Sequence, residues 1–381
     1  MSVNRIIRIA VVVGEASGDF LGAGLIAALK KQIKNVEFYG IGGPQMINEG
    51  FNTMVSMERL SVMGITDVLW RYPELYRIRQ KLIRELTANP PDLFIGIDYQ
   101  DFNIYVETKL KQCGIKTVQY VSPKIWAWRQ KRVFAVKNAV DLMLTIFPFE
   151  NELYQNHHVP NHFVGHPLAD IIPLANDLYA SKKSLGYKTD DVVIAVLPGS
   201  RMGELRHMVP LFIEIIKKVH LQRPKISFIV PMVSVELKDF FEHQNRQNLS
   251  GADVKVVIGH AHEAMAAADL VLVKSGTATL EAMLLKRPMV VVWKMGALSH
   301  AIVSPKIKIP FISLPNILAN QALVPEFIQK NACSNKITEI IFTLLDDVGS
   351  AKKLQTAFEE IHHQLKQDAN EKAAMAVLAL I

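Results

Sequence analysis

Short, wholly apolar runs alternate along this chain with longer stretches in which apolar residues recur every three or four positions. The runs Ile9–Val13, Val36–Ile41, Leu93–Asp98, Lys116–Val121 and Leu142–Ile146 are rich in β-branched residues and predict strands buried on both faces. The periodic stretches predict helices: one ending near Lys34, then Glu74–Asn89, Phe102–Gln112 and Arg129–Asn138. Between Pro160 and Leu185 the pattern loosens, with Pro160, Pro167, Pro173 and the run Gly165-His166-Pro167, and predicts an interdomain linker. The scheme then restarts with a strand Val192–Leu197, the turn Pro198-Gly199-Ser200-Arg201 and a helix from Gly203 to Leu221. Further strands are predicted at Ile226–Val230, Val254–Ile258, Leu270–Val273 and Met289–Val292, and the last stretch, Asn335–Ile381, reads as helical throughout.

Alternation of this kind predicts an α/β fold of two doubly wound Rossmann-like domains facing a cleft. Residues 1–170 are expected to form the first domain, 171–345 the second, and 346–381 helices that pack back across the cleft onto the first. A chain of 381 residues is too long for one ordinary core and suits this division. Ligands of open α/β sheets bind at the C-terminal ends of the strands, so the loops there are searched for chemistry.

Composition narrows the function classes. Lys and Arg number 43 against 36 Asp and Glu, a formal charge of +7 that favours an anionic partner: a phosphorylated substrate, an acidic lipid surface or nucleic acid. The two cysteines, Cys113 and Cys333, lie far apart without CxxC spacing, which argues against a disulfide framework or zinc site and for a reducing compartment. Ile6–Val13 contains Arg8 and ends in a Gly turn, so it reads as a first strand and not a signal peptide. No apolar run approaches the ~20 residues that cross a bilayer, and the expectation is a soluble or peripheral protein.

The stretch Leu270–Leu284 is the richest in chemistry. An apolar strand breaks into Lys274-Ser275-Gly276-Thr277 and continues with helical spacing through Leu280, Met283 and Leu284. Such a turn presents backbone N–H groups to an anion such as phosphate. Glu281, one turn inside, can accept hydrogen bonds from sugar hydroxyls, because Ala278 removes the hydroxyl a capping box would need. Ser200 and Arg201 end another predicted strand, and the guanidinium fork of Arg201 suits phosphate oxygens. Together Ser200, Arg201, Ser275, Gly276, Thr277 and Glu281 make a nucleoside-diphosphate site in the second domain. In the first domain Asp98 ends an apolar strand, where a carboxylate can take a proton from an incoming hydroxyl, whereas Asp101 fits a helix cap. Lys124–Arg132 interleaves Trp126 and Trp128 with basic residues including Arg129, and Trp70–Lys81 is similar, with the apolar Ser61–Ile65 upstream. Basic and aromatic residues together suit an anionic membrane surface, and equally an amphipathic helix pair or nucleic acid. His260 and His262 lack a third ligand at metal spacing, and no serine stands in a GxSxG elbow. No metal site is expected.

With these motifs assembled, the chain closely resembles the lipid-A-disaccharide synthases of Gram-negative bacteria, two-domain glycosyltransferases of the GT-B fold. The likeness runs through Gly14-Glu-Ala-Ser-Gly-Asp19, Ser61-Val-Met-Gly64, Gly96-Ile-Asp98 with Asp101-Phe-Asn103, Val121-Ser-Pro123, and Trp126-Ala-Trp-Arg-Gln-Lys-Arg-Val133. It continues through Phe163-Val-Gly-His-Pro-Leu-Ala-Asp170, Leu197-Pro-Gly-Ser-Arg201, Ser275-Gly-Thr-Ala-Thr-Leu-Glu281 and Leu314-Pro-Asn316. The resemblance implies transfer of the sugar of UDP-2,3-diacylglucosamine to the 6-hydroxyl of 2,3-diacylglucosamine 1-phosphate, with inversion, giving a β-1,6-linked disaccharide 1-phosphate and UDP. It implies that Asp98 is the general base and adds Asn316 to the UDP-binding set. It also implies that Glu15, Ser17, Met63, Trp126 and Arg129 face the acylated acceptor at the cytoplasmic face of the inner membrane. No cofactor is expected, nor nucleic acid as partner; a second copy of the chain is. Two departures stand out: the family carries Ala-Pro between its two aspartates where this chain has Tyr99-Gln100, and Gly-Arg after the Asn316 motif where this chain has Asn320-Gln321.

Two rivals remain open on the residues alone. A UDP-N-acetylglucosamine 2-epimerase would share the UDP site, but a soluble sugar nucleotide gives no reason for the basic-aromatic segments. A nucleic-acid-binding protein would account for the charge and leave the Ser200 and Ser275 loops unexplained.

Overall fold

The computed structural model describes residues 5–60, 65–127, 130–246, 251–296 and 309–381, with backbone alone for 65–70 and 245–246. The chain forms two compact units, one of residues 1–170 with 364–381 and the other of residues 171–363.

In the first unit the strands are β1 (Ile7–Val12), β2 (Val36–Ile41), β3 (Asn52–Thr53), β4 (Leu93–Ile97), β5 (Lys116–Tyr120), β6 (Leu142–Thr145) and β7 (Asn161–Phe163). Among the described residues they form a parallel sheet in the order β3-β2-β1-β4-β5-β6-β7. β4 is buried at every position, as expected of a strand with helices on both faces. Ala10, Val12, Phe94 and Tyr39 pack on one face against Ile78, Leu82 and Leu86 of the helix Ile65–Ala88 and Val106 and Leu110 of the helix Gln100–Gln112. The helix Ala369–Leu378 packs against Ala16–Gln32, and Lys31 pairs with Glu371 at 2.9 Å.

The second unit repeats the plan with β8 (Val193–Leu197), β9 (Ser227–Met232), β10 (Val254–Ile258), β11 (Leu270–Lys274), β12 (Met289–Trp293) and β13 (Glu326–Ile328). Their order is β10-β9-β8-β11-β12-β13, again parallel. Its core joins the helix Met202–Gln222, through Leu205, Met208, Phe212 and Ile216, to Val196, Phe228 and Leu272 of the sheet and Ile337 and Ile341 of the helix Ser334–Asp346.

Each sheet reverses its winding once. In the first unit the reversal falls between β1 and β4, and in the second between β8 and β11. The loops leaving those four strands therefore diverge and open a crevice at the edge of each sheet, the position where doubly wound folds bind ligands. Among the described residues no helix is long and apolar enough to cross a membrane.

Some sequence expectations are corrected here. The helix expected from Glu74 begins at Ile65 and carries Pro73 inside it. Arg129–Asn138 is not one helix: a 3-10 turn at Gln130–Arg132 precedes the helix Val133–Ala139. The segment read as linker contains β7 and the short helices Pro167–Ile171 and Leu178–Ser184. The C-terminal stretch is broken at Asp347 and again at 366–368, where Asp368 is left-handed with φ of 55°.

Candidate functional site

In the first unit β1 runs through Glu15, the N-cap, into the first turn of the helix Ala16–Gln32, which carries Ser17, and β4 runs into Asp98, so the reversal point brings the two strand ends together. Ser17 Oγ lies 3.3 Å from Asp98 Oδ2 and Gln100 Nε2 donates to Asp98 Oδ1 at 2.8 Å. The carboxylate is held from both oxygens and remains half-buried. Asp98 and Tyr99 are consecutive left-handed residues, with φ of 50° and 37°, a backbone that costs roughly 1–3 kcal/mol per residue. Surrounding bonds hold it in place. Asp98 N donates to Tyr120 O at 2.9 Å, and Asn103 Nδ2 and Gln119 Nε2 converge on Asp98 O at 3.1 and 3.0 Å.

The departures at Tyr99 and Gln100 thereby acquire a function in the turn. The Tyr99 ring packs over Gly14, and its hydroxyl donates to Leu60 O at 2.8 Å. Burial raises the Tyr99 phenol above its usual range, so it stays a neutral donor. Asp101 does not cap the helix, which starts after Tyr99; it sits in the first turn and pairs with Arg132. Asp19 is the structural acid of its motif: its buried carboxylate accepts from the backbone N–H groups of Gly43, Gln45 and Met46 at 2.9–3.1 Å and caps the helix Pro44–Asn48. Trp126 packs edge-on against Phe149 with ring centroids 5.0 Å apart, and Phe149 stacks on Phe147. Met63 and Arg129 lie outside the described residues. On the helix Ile65–Ala88, Tyr72 and Tyr76 are exposed beside Arg77, Lys81 and Arg84, and Arg79 stacks over Tyr105 at 4.0 Å.

In the second unit the loops that diverge from β8 and β11 are Pro198–Arg201 and Ser275–Thr277. They are joined by a residue the sequence reading passed over. Glu204, in the first turn of the helix that follows Arg201, accepts from Ser200 N at 3.1 Å and pairs with Lys274 Nζ at 2.6 Å. Gly199 makes this possible: with φ of 134°, it takes a conformation closed to other residues, and a Cβ there would meet Glu204 Oε2 at 2.6 Å. Ser200 and Arg201 are exposed at the N-terminus of a helix of 21 residues, where the macrodipole favours an anion. Gly276 and Thr277 are exposed, and the space beside Gly276 is open.

Ser275 Oγ donates to Ile312 O at 2.8 Å, fastening its turn to the segment 312–326. Glu326 is the hub of that segment, accepting from Ile312 N, Ser313 N, Ser313 Oγ and Asn316 Nδ2 at 2.6–2.9 Å. Asn316 itself is buried, and its amide is fully engaged: Nδ2 also donates to Val324 O, and Oδ1 accepts from Leu323 N and Val324 N. The Asn316 side chain thus ties Leu323, Val324 and Glu326 into one segment beside the Ser275 turn. Asn320 caps the helix Leu314–Ala319 in the left-handed region with φ of 49°, which Asn tolerates where the family carries Gly. The Glu281 side chain has no hydrogen-bond partner among the described residues, and burial raises its carboxyl above the usual range.

The comparisons with known proteins meet this geometry. The family model described as Lipid-A-disaccharide synthetase matches residues 9–380. The chain belongs to the lipid-A-disaccharide synthase family. It is 54% identical over 374 residues to lipid-A-disaccharide synthase 2 of Legionella pneumophila strain Lens, covering 98% of this chain and 97% of that protein. It is 50% identical over 377 residues to the lipid-A-disaccharide synthase of Hahella chejuensis, covering 99% and 95%. Among solved structures, the UDP-GlcNAc 2-epimerase of Neisseria meningitidis bound to UDP-GlcNAc superposes with a TM-score of 0.67 at 12% identity, covering 98% of this chain and all of that one. Synthase and epimerase thus share the GT-B fold, and sequence separates them. As a synthase of this family the chain is a hexosyltransferase that makes the lipid A disaccharide by glycosyl transfer, from a sugar nucleotide to a lipid-linked acceptor.

Proposed function

We propose that the donor is UDP-2,3-diacylglucosamine, that the acceptor is 2,3-diacylglucosamine 1-phosphate, and that transfer inverts the anomeric carbon. Asp98 is the general base. It takes the proton of the acceptor 6-hydroxyl as that oxygen attacks C1 of the donor sugar, and the C1–O bond breaks with its electrons leaving on UDP. The products are the β-1,6-linked disaccharide 1-phosphate and UDP. The observation that carries this reading is the held, half-buried carboxylate of Asp98 at the reversal point of its sheet.

In the second unit Ser200, Arg201 and the Ser275–Thr277 turn bind the diphosphate, and Glu281 binds hydroxyls of the nucleotide sugar. Donors fixed before the reaction stabilise the charge that develops on the leaving diphosphate. Asn316 acts by shaping the 312–326 segment. The first unit takes the acceptor, with Glu15, Ser17 and Trp126 on that side, and the protein sits peripherally on the cytoplasmic face of the inner membrane. The exposed Tyr72, Tyr76, Arg77, Lys81 and Arg84 support that attachment, since aromatic and basic side chains suit an anionic interface.

The test is to incubate the protein with both substrates and determine the linkage and anomeric configuration of the product by NMR. A β-1,6 disaccharide 1-phosphate supports the reading. An α linkage overturns inversion, and turnover of the donor to a free epimer overturns the acceptor.

A further inference from the structure

Beneath the turn that carries Asp98, the first unit encloses a buried cluster of polar side chains from β5 and the helix Gln100–Gln112. Asn103, Glu107 and Gln119 are completely buried. The Asn103 amide nitrogen faces three carbonyl oxygens, those of Val12, Ile97 and Asp98, at 3.1–3.4 Å. The Gln119 amide nitrogen also faces three, those of Asp98, Tyr120 and Val121, at 3.0–3.3 Å. Turning either amide over would set its oxygen against three acceptors, so both orientations are fixed.

This leaves four oxygens on the inner side: Asn103 Oδ1, Gln119 Oε1 and both carboxyl oxygens of Glu107. All four are buried without a hydrogen-bond partner among the described residues. Glu107 Oε1 and Gln119 Oε1 crowd the same side of β4, because a Cβ on Gly96 would meet them at 2.3 and 2.7 Å. Asn103 and Glu107 are one helical turn apart, on the same face. Among themselves these four acceptors make no bond unless one of them carries a proton, and only the carboxyl can. Burial pushes the Glu107 carboxyl well above its usual range, in the same direction.

We propose that Glu107 is a positioning residue for glycosyl transfer: as the neutral acid it donates its O–H to Gln119 Oε1, fixing the amide that holds the Asp98 carbonyl and so aiming the Asp98 carboxylate. This rests on the reading of Asp98 as the base. Two left-handed residues in succession need such a clamp, and Gly96 leaves the room in which it packs.

The experiment compares Glu107→Gln and Glu107→Met, each alone and combined with Asp98→Ala, by kcat, donor KM and Tm. Glu107→Gln keeps a neutral donor and is expected to hold kcat within about threefold of wild type. Glu107→Met removes the donor and is expected to lower kcat about tenfold with donor KM unchanged. Its Tm should fall, since Gln119 Oε1 is left buried without a donor, so kcat is compared well below the unfolding transition of either variant. In the Asp98→Ala background the Met substitution should have no further effect, because its effect passes through Asp98. Wild-type kcat in Glu107→Met, equal damage from Gln and Met, or the same loss in the Asp98→Ala background would each overturn the proposal while leaving the base reading intact. Full activity of Asp98→Ala alone would overturn the base reading, and this proposal with it. Should the Met variant fail to fold, the infrared difference between wild type and Glu107→Gln decides. A protonated-carboxyl band at neutral pH, lost in the variant, is the expected result, and its absence overturns the proposal.

Discussion

Glu204 and Lys274 form a 2.6 Å ion pair that ties the first turn of the helix after Arg201 to the last residue of β11. The other carboxylate oxygen of Glu204 accepts from Ser200 N, so one side chain couples the two loops that diverge from the second sheet. Both partners are mostly shielded from solvent, where a charge pair is less screened than on an open surface. Glu204→Ala should therefore loosen both loops. Donor KM is expected to rise about tenfold with kcat nearly unchanged, the pattern of lost ground-state binding. Steady-state kinetics over a donor titration checks this.

The two side chains on the Asp98 carboxylate make different predictions. Gln100 donates at 2.8 Å to Oδ1 and Ser17 lies at 3.3 Å from Oδ2. Gln100→Ala leaves Asp98 Oδ1 without its donor, and kcat should drop about tenfold, with a smaller loss for Ser17→Ala. Measured kcat values in the order wild type, Ser17→Ala, Gln100→Ala are the expected outcome.

A second buried acid in the first unit gives a pH signature. Glu150 Oε2 accepts from Ile146 N and Phe147 N at 3.3 and 3.2 Å, and burial pushes its carboxyl up to about 8 from an ordinary 4.5. A raised value means the folded state holds its proton more tightly than the unfolded one. The stability this contributes is fully present below pH 4.5 and is lost as pH rises through about 8. Glu150→Gln keeps the acceptor and removes the titration. The Tm of wild type relative to Glu150→Gln should fall steadily between those limits, which thermal melts across a pH series would show.

Peripheral attachment makes its own demand. Tyr72 and Tyr76 are 56% and 47% exposed on the same helix as the exposed Arg77, Lys81 and Arg84, the pairing of aromatic and basic side chains that suits an anionic interface. Replacing both with Ser should at least halve co-sedimentation with anionic vesicles at low salt. Tm should change little, because neither side chain is in the core. Equal co-sedimentation of both proteins would detach the segment from that role.

Much of the fold is legible in the sequence because β4, β8, β11 and β12 are continuous apolar runs, and continuity is what burial on both faces demands. The edge strands β3, β7 and β13 are two or three residues long and contain Asn52, Asn161 and Glu326; pairing with a neighbour, not local propensity, makes them strands. The helix start at Ile65 escaped because Pro73 reads as a boundary, yet a single proline costs one hydrogen bond within 24 residues. At the site, Asp98, Ser200, Arg201 and the Ser275 turn follow from strand ends. Glu204 was hidden because an acidic residue in a first helical turn is ordinary, and only the pairing of β8 with β11 brings Lys274 to it. Gln119 was hidden for the same reason, since its register opposite Gly96 exists only in the sheet. The bonds of the Asn316 amide to Val324, Leu323 and Glu326 were hidden likewise, because they depend on how the segment 312–326 folds back on itself.

The central claim is that Asp98 accepts the proton of an attacking hydroxyl. The most direct measurement is UDP release from UDP-2,3-diacylglucosamine, with and without 2,3-diacylglucosamine 1-phosphate, for wild type and Asp98→Asn. Asn keeps the size of the side chain and the bond from Ser17 but cannot take a proton. Release by wild type should require the acceptor, and the Asn variant should lose about 10²–10⁴-fold in kcat with donor KM held, the usual span for a positioned base. Acceptor-dependent release that survives in Asp98→Asn would contradict the claim.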